Sequence, residues 1–269
     1  MKFLSLLQTL LCLTSCTASP TKLPRATAST ISSQCTNIRF QGQYGIGWLV
    51  GDCLTGSGTE RITSGTYLWN KIGNIDGTLA WGSDAYGDTC YECKFLNGGL
   101  SLSLNCQCKP HTGTWNNSTL ILEEHIAVYS GHILSDLGGP PTVPTIPSPY
   151  PFPSDSRYSW GGNSTCAGPY AYWCDGKRFN ESCSGGDASS GPLPYCYRTN
   201  IINIPVDISA MTLSGGGAWE LTAYEDEACT KKIAVLGKED MDKCRIFSED
   251  WSVKARAVRT RPLFNGDPN

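Results

Sequence analysis

Residues 74–77 read Asn-Ile-Asp-Gly, and Asp84, Asp88 and Thr89 follow just ahead of Cys90. An amide both donates and accepts hydrogen bonds, a carboxylate only accepts, and a hydroxyl does both. Gly77 adds exposed backbone N–H and C=O groups, because a glycine turn has no side chain to cover them. Together Asn74, Asp76, Gly77, Asp84, Asp88 and Thr89 suit the reading of adjacent hydroxyls, such as those of a hexose. Alone, the four residues also suit a plain β-turn, since Asn and Asp bond to their own backbone and Gly tolerates positive φ. What surrounds the stretch decides between the two.

The stretch lies in a repeat. Leu68 and Ile72 recur as Leu122 and Ile126, and Cys-Thr-Asn-Ile-Arg-Phe (35–40) has a counterpart in Cys-Tyr-Glu-Cys-Lys-Phe (90–95). Each copy reads as strand, hairpin turn, alternating strand, short helical turn and Gly-centred hairpin. Leu79 and Trp81 read as alternating strand residues, and His125, within Glu-Glu-His-Ile-Ala, as structural. The second copy has Val128, Tyr129 and Ser130 where the first has Asn74, Ile75 and Asp76, so its turn lacks the polar set.

The flanking segments set the organisation. Residues 1–18 join Lys2, an apolar run from Phe3 to Leu13 and small residues, the pattern of a secretory signal peptide. Residues 19–33 read as a flexible lead-in. The repeat occupies 34–137, a Pro-rich linker 138–154, and a Cys-rich β-domain of unassigned role 155–269. Seven prolines between 138 and 153 predict a stiff, extended spacer and two domains without a shared core. The expected location is extracellular, without membrane insertion. A net charge of −3 and a pI near 5.6 give no reason to expect nucleic acid. Sequons stand at Asn116, Asn117, Asn163 and Asn180.

Cysteines fit an oxidising compartment. Beyond Cys12 and Cys16 they divide into 35, 53, 90, 93, 106 and 108, then 166, 174, 183, 196, 229 and 244. Facing residues of a hairpin have a nearly constant sum of residue numbers. This favours nested pairs Cys90–Cys108 and Cys93–Cys106, reconciled by one bulge, over the crossed pairs. Metal binding by Cys-Tyr-Glu-Cys and Cys-Gln-Cys is the alternative chemistry.

No G-x-S-x-G, H-E-x-x-H or phosphate-binding loop occurs, and His111, His125 and His132 all lie in the first half. A carboxylate pair within Glu-Asp-Glu-Ala-Cys or Gly-Lys-Glu-Asp-Met-Asp-Lys-Cys is the residual enzymatic reading. The expectation is no catalysis, no metal and no cofactor.

The spacing of Cys35 and Cys53, the run from Leu68 through Cys90, and Ile-Leu-Glu-Glu-His-Ile-Ala-Val-Tyr-Ser-Gly-His-Ile (121–133) resemble the cyanovirin-N family of sugar-binding lectins. The resemblance covers about residues 35–134 and implies a mainly β, pseudo-symmetric two-repeat domain with a Cys35–Cys53 disulfide. It implies a mannose-binding pocket around Asn74, Asp76, Asp84, Asp88 and Thr89, with Lys109 at a basic position. The second pocket would use Ser33, Gln34, Leu54 and Gly56. The implied partners are mannose-type oligosaccharides or cell-wall polysaccharide. The C-terminal half is only faintly similar to βγ-crystallin-like domains of small secreted fungal proteins, and it lacks their calcium motif. The other expectation is a secreted structural or effector-like interaction protein whose lectin fold has lost sugar affinity.

Overall fold

The computed structural model describes residues 28–42, 47–56, 58–97, 101–162, 171–174, 177–180, 186–189, 191–198, 208–250 and 252–269. The expected signal peptide, Asn163, Cys166 and Cys183 lie outside the described residues, and 171–174, 177–180 and 186–189 are described by backbone alone.

The first half is one pattern used twice. β1 (Cys35–Gln41), β2 (Trp48–Leu54) and β3 (Arg61–Tyr67) form an antiparallel sheet; β4 (Ile72–Ile75) and β5 (Thr78–Trp81) form a hairpin. β6 (Cys90–Asn97), β7 (Leu102–Cys108) and β8 (Asn116–Ile121) repeat the sheet, and β9 (Ile126–Tyr129) and β10 (His132–Ser135) the hairpin. A helical turn, α1 (Ile31–Gln34), precedes β1, and a 3-10 turn over Tyr86–Asp88 precedes β6. Each hairpin packs on the other copy's sheet, β5 against β8 and β10 against β3. Leu49, Leu68, Ile72, Leu79, Leu104, Leu122, Ile126 and Ile133 fill the core between them. The repeat pattern led to two strands per sheet; the structure has three. The third strands, Arg-Ile-Thr-Ser-Gly-Thr-Tyr and Asn-Asn-Ser-Thr-Leu-Ile, carry too little apolar alternation to signal themselves.

The disulfides follow the hairpins. Cys35–Cys53 joins β1 to β2, and Cys90–Cys108 and Cys93–Cys106 are nested between β6 and β7. The β6–β7 register slips between Tyr91 and Lys94, with Glu92 at φ 54°, which is the bulge the nesting needs.

In the second half, β11 (Tyr158–Gly162), β12 (Ala171–Cys174), β13 (Lys177–Asn180) and β14 (Gly186–Ser189) join β16 (Ala210–Gly215) and β19 (Cys244–Ile246) in one sheet. β15 (Leu193–Arg198), β17 (Trp219–Tyr224), β18 (Lys232–Leu236) and β20 (Ala257–Pro262) form a four-stranded second sheet. Cys196–Cys229 ties β15 to the loop after β17, and Cys244 is also disulfide-bonded.

Two expectations need correction. The halves do share a core, and the end of the Pro-rich segment, residues 148–153, packs as a strap instead of standing off as a spacer. β2 is buried on both faces: Leu49 enters the first core, while Trp48 and Val50 enter the second with Tyr158, Trp219, Leu221 and Phe264. Phe152 of the strap meets Trp48 edge-on at 5.5 Å between ring centroids. Ser148 N–H donates to Asn265 Oδ1 at 2.7 Å, and Tyr150 bridges to Phe264. Proline removes donors but leaves apolar rings and carbonyls, so a Pro-rich segment packs wherever a neighbour offers aromatic surface and donors. The second correction concerns the lead-in, whose last residues are ordered. Ser29 and Val128 exchange backbone hydrogen bonds, Ile31 is buried, and Ser32 N–H donates to Glu123 Oε1 at 2.7 Å.

Candidate functional site

The hairpin joining β4 to β5 turns through Asp76 at φ 50° and Gly77 at φ 83°, the two positive-φ positions of a two-residue turn. A side chain on Gly77 would be strained at this φ and would press on the Asn116 amide and on Pro110, so the position favours glycine mainly by conformation. The equivalent turn, Ser130–Gly131, has the same shape at φ 49° and 85°. The difference between the copies is therefore chemical.

Asn74 is spent on building the site. Its Oδ1 accepts the Gly77 N–H at 2.7 Å, and its Nδ2 donates to Thr89 Oγ1 and to the Lys109 carbonyl, both at 2.8 Å. Lys109 N–H in turn donates to the Thr89 carbonyl at 2.8 Å. These bonds pin the turn to the start of β6 and the end of β7. Accepting from Asn74 leaves the Thr89 hydroxyl hydrogen to donate elsewhere. Asp76 Oδ1 accepts the His111 N–H at 2.9 Å, leaving the second carboxylate oxygen as an acceptor. Asp76, Asp88, Thr89, Lys109 and His111 are all exposed. The arrangement is a rigid rim carrying acceptors, a hydroxyl donor and an ammonium.

The structure brings Asn74, Asp76, Gly77, Thr89 and Lys109 together, but Gly77 is buried and its N–H is taken by Asn74, so it shapes the turn and does not offer the exposed N–H expected of it. Asp88 closes the 3-10 turn just before Thr89, and Asp84 lies on the preceding loop, which folds against Gly73. Sequence reasoning missed His111, Pro110 and Asn116. They come from the other copy's sheet, and only the exchange of hairpins between sheets reveals them. Burial, then neighbouring Tyr197 and then the Asp84 carboxylate raise the phenol of Tyr195, on β15, above its ordinary value.

The second turn is built differently. Val128, in the place of Asn74, is buried and bridged to Ser29. Ser33 donates to the Thr30 carbonyl, and the Gln34 backbone carbonyl accepts from Arg61 Nη1. His125 stacks on Trp81 at 4.7 Å and sits 3.5 Å from Asp136, a structural position. A cleft of about 410 Å³ between the strap and β16–β17 is lined by Tyr150, Gly215, Lys238 and Met241 and includes none of the first turn's residues. No cluster of ligating side chains suited to a metal occurs among the described residues.

The family model of the CVNH domain matches residues 32–134. This part of the chain is a CVNH domain. Solved structures similar to it include the CVNH of Gibberella zeae, 21% identical with a TM-score of 0.34, covering 38% of this chain and 94% of that one. Microvirin in complex with mannobiose is 26% identical, with a TM-score of 0.35 and coverage of 39% and 97%. A MoCVNH3 variant in complex with (N-GlcNAc)4 is 17% identical, with a TM-score of 0.33 and coverage of 42% and 99%. No curated protein matches the chain.

Proposed function

We propose that this is a secreted carbohydrate-binding protein, a lectin that recognises mannose-type or related neutral glycans at the first hairpin turn without catalysis, metal or cofactor. The observation that carries the reading is the rim around Asp76. A turn fixed by three Asn74 hydrogen bonds offers a carboxylate, a hydroxyl and an ammonium to solvent at one edge. Preorganised groups of mixed donor and acceptor character match vicinal hydroxyls at little ordering cost. The CVNH match supports a carbohydrate-binding role for residues 32–134. The disulfides support an oxidising, extracellular location.

A glycan array probed with the full-length protein and with the Asn74→Ala/Asp76→Ala variant tests this. The proposal expects mannose-type or related neutral glycans to bind the wild type and not the variant. Equal binding by both moves the site elsewhere.

A second reading rests on the buried Val128, which leaves one of the two turns without its polar set. In it, the lectin fold serves as a scaffold for a protein partner. Partner capture that excess mannose leaves undisturbed, from a protein silent on the array, would favour it.

A further inference from the structure

Next to the polar rim lie two aromatic rings that the fold does not bury. Tyr91 is 53% exposed and Trp115 is 46% exposed, and they meet edge to face with centroids 5.3 Å apart. Their positions tie them to the turn. Tyr91 stands two residues after Thr89, and its hydroxyl lies 3.5 Å from the Asp88 carbonyl. Trp115 immediately precedes Asn116, whose side chain lies against Gly77. Tyr91, Gln107 and Asn117 are paired across β6, β7 and β8, so the pair sits where that sheet ends at the turn.

Exposing two large rings forfeits burial worth about 1.5–3 kcal/mol for a large apolar side chain, and adjacent exposed rings commonly mark binding surfaces. The rest of the first core does not need them: its aromatic contacts include Phe40 stacked on Phe95 at 3.7 Å and the buried Tyr86. What the surroundings specify is the occupant. A pyranose carries hydroxyls around its edge and a C–H face on its ring. The rim at Asp76, Thr89 and Lys109 can satisfy the first, while an aromatic face suits the second.

We propose that Tyr91 and Trp115 form an aromatic subsite that stacks on the second ring of an oligosaccharide whose first ring is held at the β4–β5 turn. The proposal rests on the carbohydrate reading of that turn and adds a preference for chain length. The polar rim sets which sugar enters, and the ring pair rewards a second residue linked to it.

The test is calorimetric titration of the full-length protein, cleared of N-glycans by an endoglycosidase. The probes are mannose, mannobiose and mannotriose, and GlcNAc with its dimer and trimer. Wild type is expected to gain about ten-fold in affinity from one ring to two in one of the series. Trp115→Ala and Tyr91→Ala should each erase most of that gain while leaving the single-sugar affinity within about two-fold, and Trp115→Phe should retain part of it. If wild type binds and both alanine variants keep the full gain, the subsite is overturned and the turn reading stands. If wild type binds none of these sugars, both are overturned.

Discussion

Lys71, just before β4, and Asp267, near the end of the second half, are joined in an ion pair with Nζ 3.7 Å from Oδ2, and both side chains are completely buried. The same carboxylate oxygen accepts from Thr66 Oγ1 at 2.8 Å and from the Ser135 N–H at 3.0 Å, while Asp267 N–H donates to the Gly65 carbonyl at 2.8 Å. Three segments of the first half thus converge on one residue of the second. Burial lowers the Lys71 pKa, and the Asp267 charge and hydrogen bond oppose that shift. Removing one partner of such a pair costs about 3–5 kcal/mol, whereas replacing both by apolar groups is often near neutral. Both Asp267→Ala and the pair Lys71→Met with Asp267→Leu leave the Thr66 and Ser135 donors without their acceptor. Only Asp267→Ala also leaves the buried Lys71 without its counter-ion, so it should lower full-chain stability more. Urea denaturation of the three proteins reads this.

Trp48 fixes the coupling of the halves. It contacts Tyr67, Phe152, Trp219 and Phe264, with centroids between 5.5 and 6.2 Å. The intact chain should unfold in one calorimetric transition. Trp48→Ala, at a cost of about 3–5 kcal/mol, should split it in two. Two transitions already present in the wild type would contradict the shared core.

His132 gives a pH signature. It is buried at the start of β10, and burial lowers its pKa below 6.5. The unfolded chain then binds a proton that the folded chain refuses, so stability falls as pH drops below about 6.5. Above that value both states are neutral and the slope vanishes. His132→Phe should flatten the loss between about pH 6.5 and 5. The remaining acid loss should lie lower, where groups such as Asp155 titrate, its pKa being lowered chiefly by the Arg157 hydrogen bond.

The nested disulfides predict unequal effects of removal. Cys90–Cys108 closes a loop that already contains the Cys93–Cys106 loop. Changing Cys93 and Cys106 to Ser together should cost less than the about 3 kcal/mol of an isolated loop of that length. Removing both bridges should cost much more. Thermal midpoints under non-reducing conditions distinguish the cases.

How far the sequence led follows from where each signal lay. Local signals were legible: the Asp76–Gly77 turn, the facing cysteines, and the repeat carried by Leu68/Ile72 and Leu122/Ile126. Their physics is decided within a hairpin. Signals needing a distant partner were not legible. Trp48 and Val50 alternate with Leu49 as any strand residues would, and nothing in β2 says that both faces are covered. Seven prolines describe a chain without regular hydrogen bonding, yet they do not specify whether it is solvated or packed. His111 and Asn116 joined the site only because β4–β5 lies on the other copy's sheet.

The most direct test of the central claim is amide-resolved NMR during titration of the full-length protein with mannobiose and with a GlcNAc tetramer. Saturable shifts concentrated at Gly77, Thr89, Lys109 and His111, absent from Asp76→Ala and retained in Ser130→Ala, are the predicted result. Shifts centred on Ser130 and Gly131, or on the second half alone, or none with any neutral glycan, would contradict it.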